Sequence, residues 1–132
     1  MRATLPLIAI GLIAATPAGA GPDERAARDA ERLKEYMAAS EAGPPRNCIN
    51  LTGVRSTKII DETMIVYEVS SKLRYVNRPP GGCAALRPNR SLVTRSVGSL
   101  LCSGDIAQVM DLRQGFGYGA CPLGDFTPYR KR

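Results

Sequence analysis

The chain contains no histidine and no tryptophan. Without imidazole it lacks the side chain most often used as a general base and metal ligand near neutral pH. A Ser-His-Asp triad, a Cys-His pair and a His-bearing zinc site are thereby excluded. Aromatic residues are scarce: five Tyr and two Phe in 132 residues offer little for a base-stacking platform. No strand alternates aromatic and basic residues as an RNA-binding sheet does, so nucleic acid is not an expected partner. The four cysteines stand 35, 19 and 19 residues apart, so there is no Cys-x-x-Cys. That spacing argues against a thioredoxin-like motif and against the closely spaced ligand pairs of a structural zinc site. No metal or other cofactor is expected.

Long apolar runs are also missing, with one exception near the start. Met1-Arg2 is a short positive opening, Leu5–Ala15 is an apolar run of eleven residues, and Thr16-Pro17 breaks it. Ala18-Gly19-Ala20 then supplies the small-x-small pattern of a cleavage site, so residues 1–20 read as a secretory signal peptide. Eleven residues fall short of the roughly 20 needed to span a bilayer. The expected location is periplasmic or secreted, with no transmembrane segment once the signal is removed.

Hydrophobic residues make up 44% and charged residues 23%, the balance of a soluble globular domain. The mature part is small and would bury only about two thirds of its unfolded surface. The cysteines supply the missing stability. Cys48, Cys83, Cys102 and Cys121 all follow the signal, and an even count in an exported chain reads as a disulfide framework. Four cysteines allow three pairings. The expected one is nested, with Cys48–Cys121 tying the first strand to the last and Cys83–Cys102 closing an inner loop.

Residues 21–45 read as a helix and linker. Pro22, Asp23 and Glu24 suit a helix start, and Asp23–Ala42 is filled with good helix formers. Ala26, Ala30, Leu33 and Met37 share one face, a thin stripe that predicts loose packing. Gly43-Pro44-Pro45 ends the segment. Residues 46–128 change to β texture. Residues 54–60 and 63–69 flank Asp61-Glu62 as a hairpin. Ile65 and Tyr67 alternate with Met64 and Val66, all apolar, so the second strand is expected at the centre of a sheet, buried on both faces. Leu73 and Tyr75 are expected inward, with Arg74 and Val76 on the opposite face. Further strands are predicted at 91–96, from residue 100 to 102, and at 105–112. The stretch 114–119 is predicted as a glycine-rich loop, 121–126 as a short edge strand and 129–132 as a frayed basic tail. The fold class is mainly β: a small antiparallel barrel or sandwich of six to seven short strands, preceded by one helix and tied by two disulfides.

Charge is unevenly distributed. The helical segment 23–42 carries six acids and four bases, whereas residues 43–132 carry thirteen bases and six acids. Arg74, Arg78, Arg87, Arg90 and Arg95 concentrate around the inner loop and are the candidate anion-binding residues. A basic face attracts anions and speeds their encounter. The expected partner is an anionic envelope component or another periplasmic protein.

No catalytic constellation stands out. Gly115-Phe116-Gly117-Tyr118-Gly119 lacks the Lys, the Ser or Thr and the following helix of a phosphate loop. Asp105 and Asp125 each follow a glycine, as turn-capping aspartates do. A hydrolase would need two of Asp61, Asp105, Asp111 and Asp125 in one cleft. Ser56 and Lys58 share a strand face, but a catalytic lysine needs burial. The function expected is therefore that of a non-enzymatic binding or envelope-associated module. A thiol–disulfide redox protein and a carboxylate-dependent hydrolase of cell-wall material are the alternatives.

The stretch from Asn47-Cys48-Ile49 through Ile60-Asp61, the later Tyr75-Val76-Asn77 and Gly82-Cys83 with Leu86, Leu101-Cys102-Ser103-Gly104-Asp105, and Cys121-Pro122-Leu123-Gly124-Asp125-Phe126 form a pattern. It resembles a family of small exported proteobacterial proteins with four cysteines and unknown function, over residues 46–128. The resemblance implies export and a cysteine-tied domain, and it implies no activity.

Overall fold

The computed structural model describes residues 11–15, 19 and 21–132; the rest of the expected leader, residues 1–20, lies outside the described residues. Helix α1 (Pro22–Ala38) is followed by β1 (Ser40–Ala42), β2 (Cys48–Asn50), β3 (Ser56–Asp61), β4 (Met64–Glu68) and β5 (Leu73–Asn77). Then come β6 (Ser91–Thr94), β7 (Leu100–Cys102), β8 (Ile106–Asp111), β9 (Phe116–Pro122) and β10 (Phe126–Lys131). The strands form three antiparallel sheets, ordered β1-β10-β5-β4-β3, β2-β7 and β6-β8-β9. Among the described residues no helix is long and apolar enough to cross a membrane.

The mainly β architecture agrees with the sequence pattern. The hairpin β3–β4 sits where the alternation placed it, turning at Glu62-Thr63, where Asp61 accepts from the Thr63 N–H at 2.7 Å. Strand β4 is paired on both sides, and Ile65, Val66 and Tyr67 are all buried. Its odd-numbered residues and those of β5 face one core with Ile49, Leu86, Leu101, Val109, Leu123 and Phe126. All three sheets contribute to that core, and Tyr67 meets Phe126 edge to face at 5.6 Å. Val66 and Val76 point to the opposite face, where Leu33 and Met37 of α1 cover them.

Several expectations are corrected. Among the described residues the strands number ten rather than six or seven, because three-residue strands pair at the margins and the C-terminal segment is a strand. Residues 129–131 are not a frayed tail: Tyr129, Arg130 and Lys131 pair with Ala42, Glu41 and Ser40 of β1. The stretch expected as a glycine-rich loop belongs largely to β9, where small residues suit an exposed edge strand paired only with β8. The helix stops at Ala38 rather than Ala42, and Ser40 Oγ donates to the Tyr36 carbonyl as the chain turns into β1. The helix is also docked more firmly than its thin stripe suggested. Tyr36, absent from that stripe, is buried, donates its hydroxyl to the Tyr129 carbonyl at 3.1 Å and lies beneath the Arg74 guanidinium.

The nested disulfide pairing is overturned. The bridges are Cys48–Cys102 and Cys83–Cys121, an interleaved arrangement. The ladder explains the first. Ser103 N–H donates to the Asn47 carbonyl and Leu51 N–H to the Ser99 carbonyl, so Cys48 and Cys102 form the non-hydrogen-bonded pair between them. Side chains approach most closely at such a pair, and the Cα atoms here are 4.0 Å apart. The freed Cys102 N–H is taken by the Asp105 carboxylate at 2.8 Å. A bridge from first to last strand is not needed, because β1 and β10 already join the chain ends and Arg46 and Phe126 form a further backbone bridge. Cys121 on β9 instead fastens the 79–90 loop to the small sheet.

Candidate functional site

The five candidate arginines do not act as one open patch. Arg74 lies on β5, with its guanidinium 4.1 Å from the Tyr36 ring centre and 3.6 Å from Glu68, and its buried Nε has no partner. Arg87 is ion-paired with Glu62 and donates to the Ala84 and Leu86 carbonyls. Arg90 donates to the Ala85 carbonyl at 2.7 Å and stacks on Tyr118 at 3.5 Å. These three hold the 79–90 loop and the helix in place. Arg78 and Arg95 are exposed, with no carboxylate partner among the described residues.

A different arrangement emerges at β3. This strand is the free margin of the large sheet, and α1 and the 88–90 segment stand on either side of it. Between them lies a groove of about 390 Å³, lined by Arg25, Asp29, Thr57, Lys58 and Arg90 among others. Three cations thus face one carboxylate, and Asp29 is itself 3.6 Å from Lys58. Arg25 has no carboxylate partner among the described residues. Only Arg90 of this set was a candidate from the sequence. Arg25 was hidden because it belongs to an acidic helix, and only the docking of that helix brings it to the basic strand edge.

A second cavity, of about 230 Å³, continues from Thr57, Ile59 and Arg90 to Tyr67, Ser91, Leu92 and Thr94. It separates β3 from β6, the margin of the small sheet. Tyr67 is 3% exposed and its hydroxyl has no hydrogen-bond partner. Burial disfavours the phenolate and pushes its pKa well above the ordinary phenol value.

Of the two aspartates expected as turn caps, Asp105 behaves as one. Asp61 and Asp105 cap the turns already described, and Asp111 accepts from the Arg113 N–H at 2.9 Å. No two of Asp61, Asp105, Asp111 and Asp125 line any one of the five cavities described. Asp29 and Glu68 do share a small cavity under α1, but Lys58 pairs with the first, and Arg55 and Arg74 with the second. Ser56 and Lys58 line that same cavity, and the Lys58 side chain is half exposed and paired with Asp29. Every cysteine is in a disulfide.

The two Cys…Gly-Asp segments are neighbours, which their 19-residue separation did not reveal. Gly104 N–H donates to the Leu123 carbonyl and Leu123 N–H to the Asp105 carbonyl, both at 2.9 Å. Gly124 lies so close to Arg78 that a Cβ would come within 2.5 Å of its carbonyl oxygen. Buried Asn77 completes the junction, accepting from the Gly124 N–H at 3.0 Å and donating to its carbonyl at 2.7 Å. The glycine is required by this close approach, and the motif is a structural junction between sheets. Neither family models, nor curated proteins, nor solved structures match the chain.

Proposed function

We propose that the protein is an exported, non-enzymatic binding module that holds an anionic envelope component or periplasmic protein through the basic groove along β3. The observation that carries this reading is the groove itself, where Arg25, Lys58 and Arg90 face a single carboxylate, Asp29. Two disulfides support an oxidising, non-cytoplasmic location, since such bridges are rare where thiols are kept reduced. The periplasm, reached through the leader at residues 1–20, is the proposed compartment. The likeness to small exported proteobacterial proteins with four cysteines belongs to the same proposal.

Retention on immobilised poly-glutamate and on dextran sulfate tests the reading. Screening over about 8–10 Å weakens exposed charge pairs, so retention should fall steeply as salt rises. Arg25→Glu with Lys58→Gln should elute at lower salt than Arg113→Glu with Arg95→Gln, which alters the net charge equally but lies away from the groove. Equal shifts in both variants would reduce the effect to net charge alone, and absence of retention at low salt would end the electrostatic reading.

A further inference from the structure

We infer that the slot between β3 and β6 receives an extended acidic segment of a partner polypeptide, added as a strand to the margin of the large sheet. This rests on the binding reading above and specifies the partner. The direction of the backbone groups is the first ground. Val69 N–H donates to the Leu73 carbonyl, which with the β4–β5 register turns residues 65, 67 and 69 toward β5 and residues 66 and 68 toward β3. By the β3–β4 register, Ser56 and Lys58 then point their N–H and C=O groups to β4, and Thr57 and Ile59 point theirs outward.

The small sheet repeats this geometry. Leu123 N–H donates to the Asp105 carbonyl, so residues 105, 107 and 109 turn to β9 and residues 106, 108 and 110 to β6. Ser91 and Val93 answer those bonds, leaving the backbone groups of Leu92 and Thr94 free. Thr57, Ile59, Leu92 and Thr94 are the β3 and β6 residues, with Ser91, that line the intervening cavity. Two margins with unused donors and acceptors thus border one slot, although unprotected margins are ordinarily blunted by charge, proline or a covering segment. An extended peptide satisfies such a margin by strand addition.

Tyr67 is the second, independent ground. Its side chain is almost wholly buried, lines the slot and has an unpartnered hydroxyl. A buried donor without a partner is disfavoured in the free protein and gains a bond when an acceptor enters. Charge selects the occupant. Arg90 lines the slot and the adjoining groove, where Arg25 and Lys58 also stand, and no carboxylate lines the slot itself. An acidic segment is therefore favoured over a neutral or basic one.

The probe is a library of linear nine-residue peptides displayed on phage, selected against the oxidised protein. The expected binders carry net negative charge and slow the amide exchange of Thr57, Ile59, Leu92 and Thr94. Thr57→Pro removes one outward donor that the β3–β4 ladder does not use, and proline is tolerated at such a position. It should weaken the selected peptide at least about tenfold while leaving the thermal midpoint near that of the parent. If this variant fails to fold, Tyr67→Phe serves instead, weakening binding about fivefold with an unchanged or raised midpoint. Failure to enrich any peptide, or binders that leave those four amides unprotected, would overturn the inference. Salt-dependent retention on poly-glutamate with no protection of the edge would keep the binding reading and reject strand addition. Protection of the same amides by concentration-driven dimerisation would replace the partner with a second copy and reject the acidic peptide.

Discussion

The two faces of the five-stranded sheet are made by the same alternating strands, yet they are covered by different means. The inner face packs Ile59, Ile65, Tyr67, Tyr75 and Phe126 beneath two smaller sheets, and both disulfides run through or beside that cover. The outer face offers Val66 and Val76 to a single helix held by Leu33, Met37 and Tyr36 without a covalent tie. Apolar burial supplies most of the stability, and a cross-link adds to it by restricting the unfolded chain. The body is thus locked on one side and clipped on the other. The basic groove lies beside the clipped helix, where adjustment to a partner disturbs the core least.

The largest expected break in this contrast is Phe126→Ala. The residue is fully buried at the meeting of β10, Tyr67 and the Arg46 bridge, so truncation leaves a cavity among three sheets. Urea unfolding with disulfides intact should lose about 3–5 kcal/mol. Next comes Asn77→Ala, which strands the buried N–H and carbonyl of Gly124 and should cost about 2–3 kcal/mol. On the outer face, Leu33→Ala should cost about 2 kcal/mol and act locally. Helix amides should then exchange faster while those of β4 and β5 stay protected, because weakly held elements open separately from the core. Equal loss of protection in both would show that the two faces fold as one unit.

Much of the sheet was legible because period-two patterning is local. The alternation in 63–69 and 72–77 marked β4 as buried on both faces, which its interior place beside the middle strand β5 bears out, and divided Tyr75 from Val76 correctly. What the sequence withheld depends on contacts between distant segments. Glycine alternation in 115–119 matched a loop as well as an edge strand, and only pairing with β8 decides between them. The basic residues 130–131 carry no apolar signal, since β10 is held there by backbone bonds to β1 and β5, and the single Tyr129 that packs beside Val66 and Val76 is too little to mark a strand. The Cys48–Cys102 bridge follows strand register and the Cys83–Cys121 bridge follows the placement of the 79–90 loop against β9, neither of which spacing encodes. The groove joins Arg25 to Lys58 and Arg90 only after α1 docks. Sequence density marks five arginines, but Arg74 and Arg87 brace the helix and the loop, and Arg90 braces the loop while lining the groove.

Tyr67 gives the smallest effect and the sharpest test of how tightly the inner face is closed. Its folded phenol titrates well above the ordinary value of 10.0, because burial disfavours the phenolate. Below the ordinary phenol value both the folded and the unfolded chain hold the neutral group, so it gives stability no pH dependence there. Above about pH 10 the unfolded state releases the proton while the folded state retains it, so stability declines as pH rises. Tyr67→Phe removes this one contribution. Near neutrality the variant should match the parent or exceed it slightly, since it deletes a buried hydroxyl with no partner. Between about pH 10 and 12 its unfolding midpoint in urea should fall less than that of the parent. Parallel curves for the two proteins would mean that the phenol reaches water through the slot between β3 and β6, and that the inner face is open at that seam.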